Sequence, residues 1–236
     1  MSGKQHEVTH VIFDMDGLLL DTEELYTVIY DKLFHEHGLP EYTWELKQRL
    51  MGRKAIEAAQ IVIDETGIQL KPEEWVELVS KKSEIVFPEA ELMPGAEKLI
   101  CHLFKNKVPI AVATGSSSHL FGLKTTRHKD FFKMFHHIVC TGDDPEVKRG
   151  KPAPDPYLIA LQRFQEDIPP ANKVLVFEDA INGVVSAKAA GMNVVCVPDP
   201  RMDKSLAQDA DLIVTSLEDI VPEEWGLPPY DKSLLV

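Results

Sequence analysis

Repeatedly along this chain a continuous apolar run stops dead at polar residues, and that punctuation limits the fold more than any other feature. Val11-Ile12-Phe13 ends in Asp14-Met15-Asp16-Gly17, and Pro109-Ile110-Ala111-Val112-Ala113 ends in Thr114-Gly115-Ser116-Ser117-Ser118. Lys173-Val174-Leu175-Val176-Phe177 ends in Glu178-Asp179. Short unbroken apolar runs bounded by turn residues suit strands covered on both faces, the situation of a parallel sheet between helices. In an open α/β sheet, ligands collect at the carboxyl ends of the strands. The polar endings therefore predict both an α/β fold and the side of the sheet on which chemistry takes place.

Each ending has a chemical and a bland reading. Asp14 and Asp16 put two anionic groups side by side; these repel, and Mg²⁺ is the usual neutralising ion because it takes one or two carboxylates plus substrate phosphate. A surface turn after a strand would use the same residues. Thr114 to Ser118 offers hydroxyls and backbone N–H groups for phosphate oxygens, or simply a helix cap. In Gly150-Lys151-Pro152-Ala153-Pro154-Asp155 two prolines stiffen the turn that carries Lys151. A lysine held there can balance a nucleophile and a phosphoryl group, whereas the alternative is a solvated loop lysine. Glu178 and Asp179 either complete an oxygen-ligand shell with Asp14 and Asp16 or cap the small-residue helix that follows. The recurrence of such endings in one chain argues against coincidence.

In their order, DMDG, the strand-ending ATGS, GKPAPD and FEDA resemble the four motifs of the haloacid dehalogenase (HAD) phosphohydrolase superfamily, a match running from about residue 8 to about residue 215. The resemblance implies a Rossmann-like HAD core with a parallel sheet plus an inserted α-helical cap, and Mg²⁺ as cofactor. It implies Asp14 as nucleophile, and Asp16 as general acid/base whose backbone carbonyl binds the metal. Thr114 and Lys151 would bind the transferring phosphoryl group, with Gly115 and Ser116 as neighbouring substrate contacts. Glu178 and Asp179 would hold the metal with Asp14 and Asp16, their division of labour open. DMDGLLLDTE, MGRKAIEAAQ, LMPGAEKLI, GDDPEV and LVFEDAINGV resemble more particularly the branch that contains pseudouridine 5′-phosphatase. Glycerol- and sugar-phosphate phosphatases and β-phosphoglucomutase share much of that pattern. The mutase reading is weakened because Arg53 follows Gly52 directly and Ala55 stands at the offset of the mutase arginine. A non-catalytic HAD-like binding protein is disfavoured because the nucleophile and the lysine are both present.

Charge and cysteine usage narrow the partners. With 25 basic against 38 acidic residues the formal net charge is −13, which argues against nucleic acid polymers and anionic membranes. A small phosphorylated metabolite depends only on the local site. Cys101, Cys140 and Cys196 are odd in number and form no CxxC, as expected of core residues in a reducing compartment. No segment approaches the roughly 18 apolar residues of a membrane span, and the polar stretch 1–10 lacks a signal-peptide apolar region. A cytoplasmic monomer is expected.

Organisation follows from where strands are missing. Between Asp14 and Pro109 the pattern is helical, beginning at Thr22 as N-cap with Glu23 and Glu24 in the first turn. Further helical stretches run over 43–50, 54–65 and 72–85. Residues 21–88 are therefore expected to form a helical cap on a core of 1–20 and 89–236. In the cap, Arg53 and Lys54 either reach substrate or cap the preceding helix. Asp21, Glu23 and Glu24 either meet sugar hydroxyls or favour a helix start. His136-His137 reads as an edge-of-strand pair, Asp143-Asp144 as a charged turn or a support behind the site, Asp155 as a helix cap or a partner that positions Lys151, and residues 222–229 as a loop with Trp225 packed on the core.

Overall fold

The computed structural model describes residues 7–50, 55–165 and 168–231. Among these residues the strands are β1 His10–Phe13, β2 Ile110–Thr114, β3 His137–Cys140, β4 Val174–Glu178, β5 Asn193–Cys196 and β6 Leu212–Ile213. They form one sheet in the order β3-β2-β1-β4-β5-β6, and every pairing is parallel. Helices α1 Thr22–Glu36, α2 Trp44–Leu50, α3 Ala55–Thr66 and α4 Pro72–Val86 follow β1. Helix α5 Ala96–Lys105 leads into β2, then α6 Ser118–Lys124 and α7 Lys129–Phe132 lead into β3. Helix α8 Asp155–Gln162 precedes β4, and α9 Ile181–Ala189 connects it to β5. The chain builds outward from β1 to β2 and β3, then returns to lay β4 on the other side of β1. Such a reversal opens a crevice at the carboxyl ends of the two flanking strands. The Asp14-Met15-Asp16-Gly17 segment leaves β1 there.

The continuous apolar strands are buried on both faces, as their composition requires. Val11, Phe13, Val112, Leu175 and Phe177 share one core with Leu99 and Leu103 of α5. Ile12, Ala111, Ala113 and Val176 share the other with Tyr157 of α8 and Val184 of α9. Alternation along each strand produces that division. Each fully buried leucine or valine contributes roughly 1.5–3 kcal/mol of transfer free energy. Trp225 is buried in the first of these cores, within a short 3-10 turn, Pro222–Trp225, rather than an irregular loop. Cys196 is buried, while Cys101 and Cys140 are half-buried; all three are unpaired.

Helices α1 to α4 pack around an apolar cluster of their own. Its centre is the fully buried Trp75, whose ring lies 5.9 Å from Phe34 and 6.2 Å from Tyr30. Leu120 and Leu123 of α6 lean on this cluster and join it to the sheet layer. One local expectation is corrected: Asp21, not Thr22, caps α1, its carboxylate accepting from the Glu24 N–H at 3.3 Å. Thr22 is the first helical residue, and its hydroxyl turns inward to Asp16.

Candidate active site

Two separate polar networks meet at the carboxyl end of β1. The first surrounds Asp14. Because β1 lies between β2 and β4, the Asp14 N–H donates to the Phe177 carbonyl at 3.0 Å, which fixes its backbone beside Glu178 and Asp179. Lys151 reaches in from the proline-stiffened turn, its Nζ 2.5 Å from Asp14 Oδ1 and 2.6 Å from Glu178 Oε1. The Tyr157 hydroxyl of α8 donates to the same Glu178 oxygen, and the Lys151 ammonium lies 5.0 Å from the Tyr157 ring centre. Glu178 Oε2 accepts the Asp179 N–H at 3.2 Å.

Charge in this network does not balance. Asp14, Glu178 and Asp179 are all buried and each offers an oxygen within 4.8 Å of the others, yet Lys151 is the ammonium they share among the described residues. No described donor bonds the Asp179 carboxylate. Burial, together with the charges of Glu178 and Asp16, pushes the Asp14 carboxyl up to about 7 against the pull of Lys151. Burial and the neighbouring Asp14 and Glu178 hold Asp179 well above the carboxylate range. Burial alone would depress Lys151, but its two carboxylate partners hold it well above its usual value. An all-oxygen set with surplus negative charge fits a hard divalent cation. Gly17 permits this crowding: its φ is +78°, and a Cβ there would lie 2.5 Å from Asp179 Oδ2.

The second network holds Asp16. Its Oδ1 accepts from Thr22 Oγ1 at 2.8 Å and lies 2.5 Å from Lys124 Nζ. Its Oδ2 accepts from Thr114 Oγ1 at 2.9 Å and Ser116 Oγ at 3.0 Å. Burial opposes ionisation of Asp16, but the Lys124 charge and these donors outweigh it and hold the carboxyl below its ordinary value. Two carboxylates two residues apart thus have environments that push their proton affinities in opposite directions. The contrast follows from their neighbours: buried Asp14 faces the Glu178 carboxylate, whereas Asp16 faces the Lys124 ammonium.

The structure brings together Asp14, Asp16, Thr114, Ser116, Lys151, Glu178 and Asp179. Gly115 is exposed beside them, with no atom within 4 Å of where its Cβ would be. Thr114 and Ser116 spend their hydroxyls on Asp16, an arrangement the motif pattern did not anticipate. Arg53 and Lys54 lie outside the described residues. Asp155 corrects another expectation: it bonds the Arg149 N–H at 3.1 Å and the Arg149 guanidinium at 3.0 Å rather than capping α8. Asp143 receives the Ser118 N–H at 2.9 Å and Asp144 pairs with Arg163 at 2.6 Å, so both are structurally engaged. His136 and His137 bond one another at 3.0 Å, and His137 Nε2 meets the Ala160 carbonyl at 2.8 Å.

Sequence reasoning missed Lys124, Tyr157 and Lys47. Lys47 is buried in α2, with its Nζ 2.8 Å from the Glu23 carbonyl and 2.9 Å from Thr27 Oγ1. Glu23 stands near the site, where burial raises its carboxyl and its charge is felt by Asp16 and Asp179. Lys124 ends α6 after Leu120-Phe121-Gly122-Leu123, and Lys47 lies between Leu46 and Gln48-Arg49 in α2, so neither position carries a local signal of burial.

The family model described as haloacid dehalogenase-like hydrolase matches residues 11–197, and the chain belongs to that family. It is a HAD phosphatase with the α/β Rossmann-like fold of the group. An Arabidopsis thaliana protein named (DL)-glycerol-3-phosphatase 2 is 53% identical, over 96% of this chain and 94% of its own length. A Drosophila melanogaster protein named "Probable pseudouridine-5'-phosphatase" is 44% identical, over 95% of this chain and 96% of its own. A crystal structure of a HAD family hydrolase from Deinococcus radiodurans, with bound phosphate and sodium, matches with a TM-score of 0.77. It covers 94% of this chain and 99% of that one at 21% identity, a likeness of fold.

Proposed function

We propose that this phosphatase hydrolyses the phosphomonoester of a small polyhydroxylated alcohol, glycerol 3-phosphate in the first instance, through an aspartyl-phosphate on Asp14. The observation that carries the mechanism is the separation of Asp14 and Asp16 into two networks at one strand end. In the first step an Asp14 carboxylate oxygen attacks phosphorus, the bond to the alcohol oxygen breaks, and that oxygen takes its electron pair and a proton from Asp16. In the second step Asp16 takes a proton from water, whose oxygen attacks phosphorus. The bond to Asp14 then breaks, leaving inorganic phosphate and the free carboxylate. Lys151 neutralises the phosphoryl oxygens, and the Thr114 and Ser116 hydroxyls orient Asp16.

Asp14, Glu178 and Asp179, with the Asp16 backbone carbonyl, would hold Mg²⁺, which when bound offsets the charge of the phosphoryl group. Residues 21–88 would act as the cap that excludes water and selects the alcohol, and Glu23 supports a hydroxyl-bearing leaving group. The 53% identical glycerol-phosphatase relative favours glycerol 3-phosphate. Pseudouridine 5′-phosphate is the second reading, favoured by the 44% identical relative and the motif resemblance. The unpaired cysteines support a reducing, cytoplasmic setting.

The test is phosphate release from glycerol 3-phosphate, pseudouridine 5′-phosphate, uridine 5′-phosphate and hexose phosphates, with Mg²⁺ or EDTA. Asp14→Asn is the control. Mg²⁺-dependent turnover of glycerol 3-phosphate, lost in the variant, is expected. Preference for pseudouridine 5′-phosphate would replace the first substrate by the second. Silence on every ester would refute the reading.

A further inference from the structure

Lys124 is 1% exposed at the end of α6, and much of what surrounds it is apolar or aromatic. Its neighbours Leu120 and Leu123 lean on an apolar cluster, and its ammonium lies 4.6 Å from the Phe87 ring centre and 5.0 Å from that of Tyr26. A methionine would suit such surroundings. Burying an ammonium costs several kcal/mol unless it is paired and hydrogen-bonded, and an ion pair so bought is often no more stable than apolar residues of the same volume. The charge therefore needs an explanation other than stability.

Its contacts supply one. The Nζ lies 2.5 Å from Asp16 Oδ1, 2.9 Å from Ser116 Oγ and 3.5 Å from the Tyr26 hydroxyl. The other donors to Asp16 are the hydroxyls of Thr22, Thr114 and Ser116, each free to rotate its proton. Among the described residues Lys124 is the charged group that bonds this carboxylate. It is itself clamped between two aromatic faces contributed by the chain around α1 and α4.

We infer that Lys124 is a positioning residue for Asp16, aiming its carboxyl oxygen at the leaving alcohol and tying that aim to the helical segment through Tyr26 and Phe87. The inference rests on the assignment of Asp16 as acid/base in the proposed function. It makes a demand that a purely structural lysine would not. A displaced acid matters for an alkoxide, which must be protonated as it departs, and hardly at all for nitrophenolate, which departs unprotonated.

The experiment compares kcat/KM for glycerol 3-phosphate and for 4-nitrophenyl phosphate in wild type, Lys124→Met and Lys124→Gln, each checked by circular dichroism and thermal unfolding. This constant covers the steps through departure of the alcohol, so the later attack of water does not blur it. Misplacement of a catalytic group by about 1 Å costs on the order of 10²-fold. The ratio of alkyl to aryl kcat/KM is therefore expected to fall at least about tenfold in a folded variant. Equal losses on both esters, or no loss on either, would overturn the inference. If Lys124→Met does not fold, Lys124→Gln, which keeps a hydrogen-bond donor without the charge, makes the same comparison. If neither variant folds, the lysine is structural and the inference fails. Wild type inactive on both esters would instead sink the proposed function.

Discussion

Replacing Gly183 by alanine sets a local gain against a loss at the site, and the magnitudes decide between them. Gly183 lies inside α9, where alanine is intrinsically better by about 0.5–1 kcal/mol. A Cβ at that position, however, would overlap the Glu178 carboxylate outright. Glu178 is 1% exposed and cannot swing into water. To make room it must give up the Lys151 ion pair at 2.6 Å and the Tyr157 hydroxyl. Hydrogen bonds to a charged group contribute roughly 1.5–3 kcal/mol each. Two of them outweigh the helix gain, leaving a net destabilisation of about 2–5 kcal/mol. For a chain of this size that is a fall in Tm of roughly 5–20 °C. Gly122 is the internal control: it also lies within a helix, α6, but nothing is within 4 Å of its Cβ position. Gly122→Ala should be neutral or stabilising by up to about 1 kcal/mol. Paired thermal and urea unfolding of the two variants, with phosphate release measured alongside, tests the argument. Gly183→Ala as stable and as active as Gly122→Ala would refute the close seating of Glu178 on α9.

Three other outcomes follow from the same geometry. Burial and like charge raise Asp14 to about 7 and raise Asp179 as well, so the folded protein retains protons that the unfolded chain has released. The stability these groups contribute is present below the ordinary carboxylate range and lost as pH rises through about 7. Mg²⁺ competes with those protons, so the rise in Tm on adding Mg²⁺ should be larger at about pH 8 than at about pH 5; equal rises would contradict the acidic-site reading. Lys151→Met leaves Asp14 and Glu178 without their ammonium. It should cost about 3–5 kcal/mol in urea unfolding and on the order of 10³-fold in kcat, and near-wild-type turnover would remove Lys151 from the mechanism. Trp75→Ala removes the centre of the helical cluster and should cost about 3–5 kcal/mol; a loss under about 1 kcal/mol would mean that α1 to α4 are not held by that core.

The sheet and its polar edge were legible because they rest on local rules. A strand covered on both faces must be apolar throughout, so Val11 to Phe13, Ile110 to Ala113 and Val174 to Phe177 declare themselves. The polar residues that end them declare where the strands stop. Asp14, Asp16, Thr114, Glu178 and Asp179 stood out at strand ends and Lys151 by its proline-flanked turn, and the four ordered motifs joined them into a family pattern. Only the tertiary structure decided how they pair. Parallel stacking of β2, β1 and β4 sets Lys151 between Asp14 and Glu178, and it turns the hydroxyls of Thr114 and Ser116 toward Asp16. The buried lysines were invisible for a related reason. Lys124 looks like an ordinary charge at a helix end, because its partner lies 108 residues away and its aromatic cradle comes from two further segments. The apolar pattern of a sequence records which residues leave water; which charges leave water with them depends on contacts that exist only once the chain has folded.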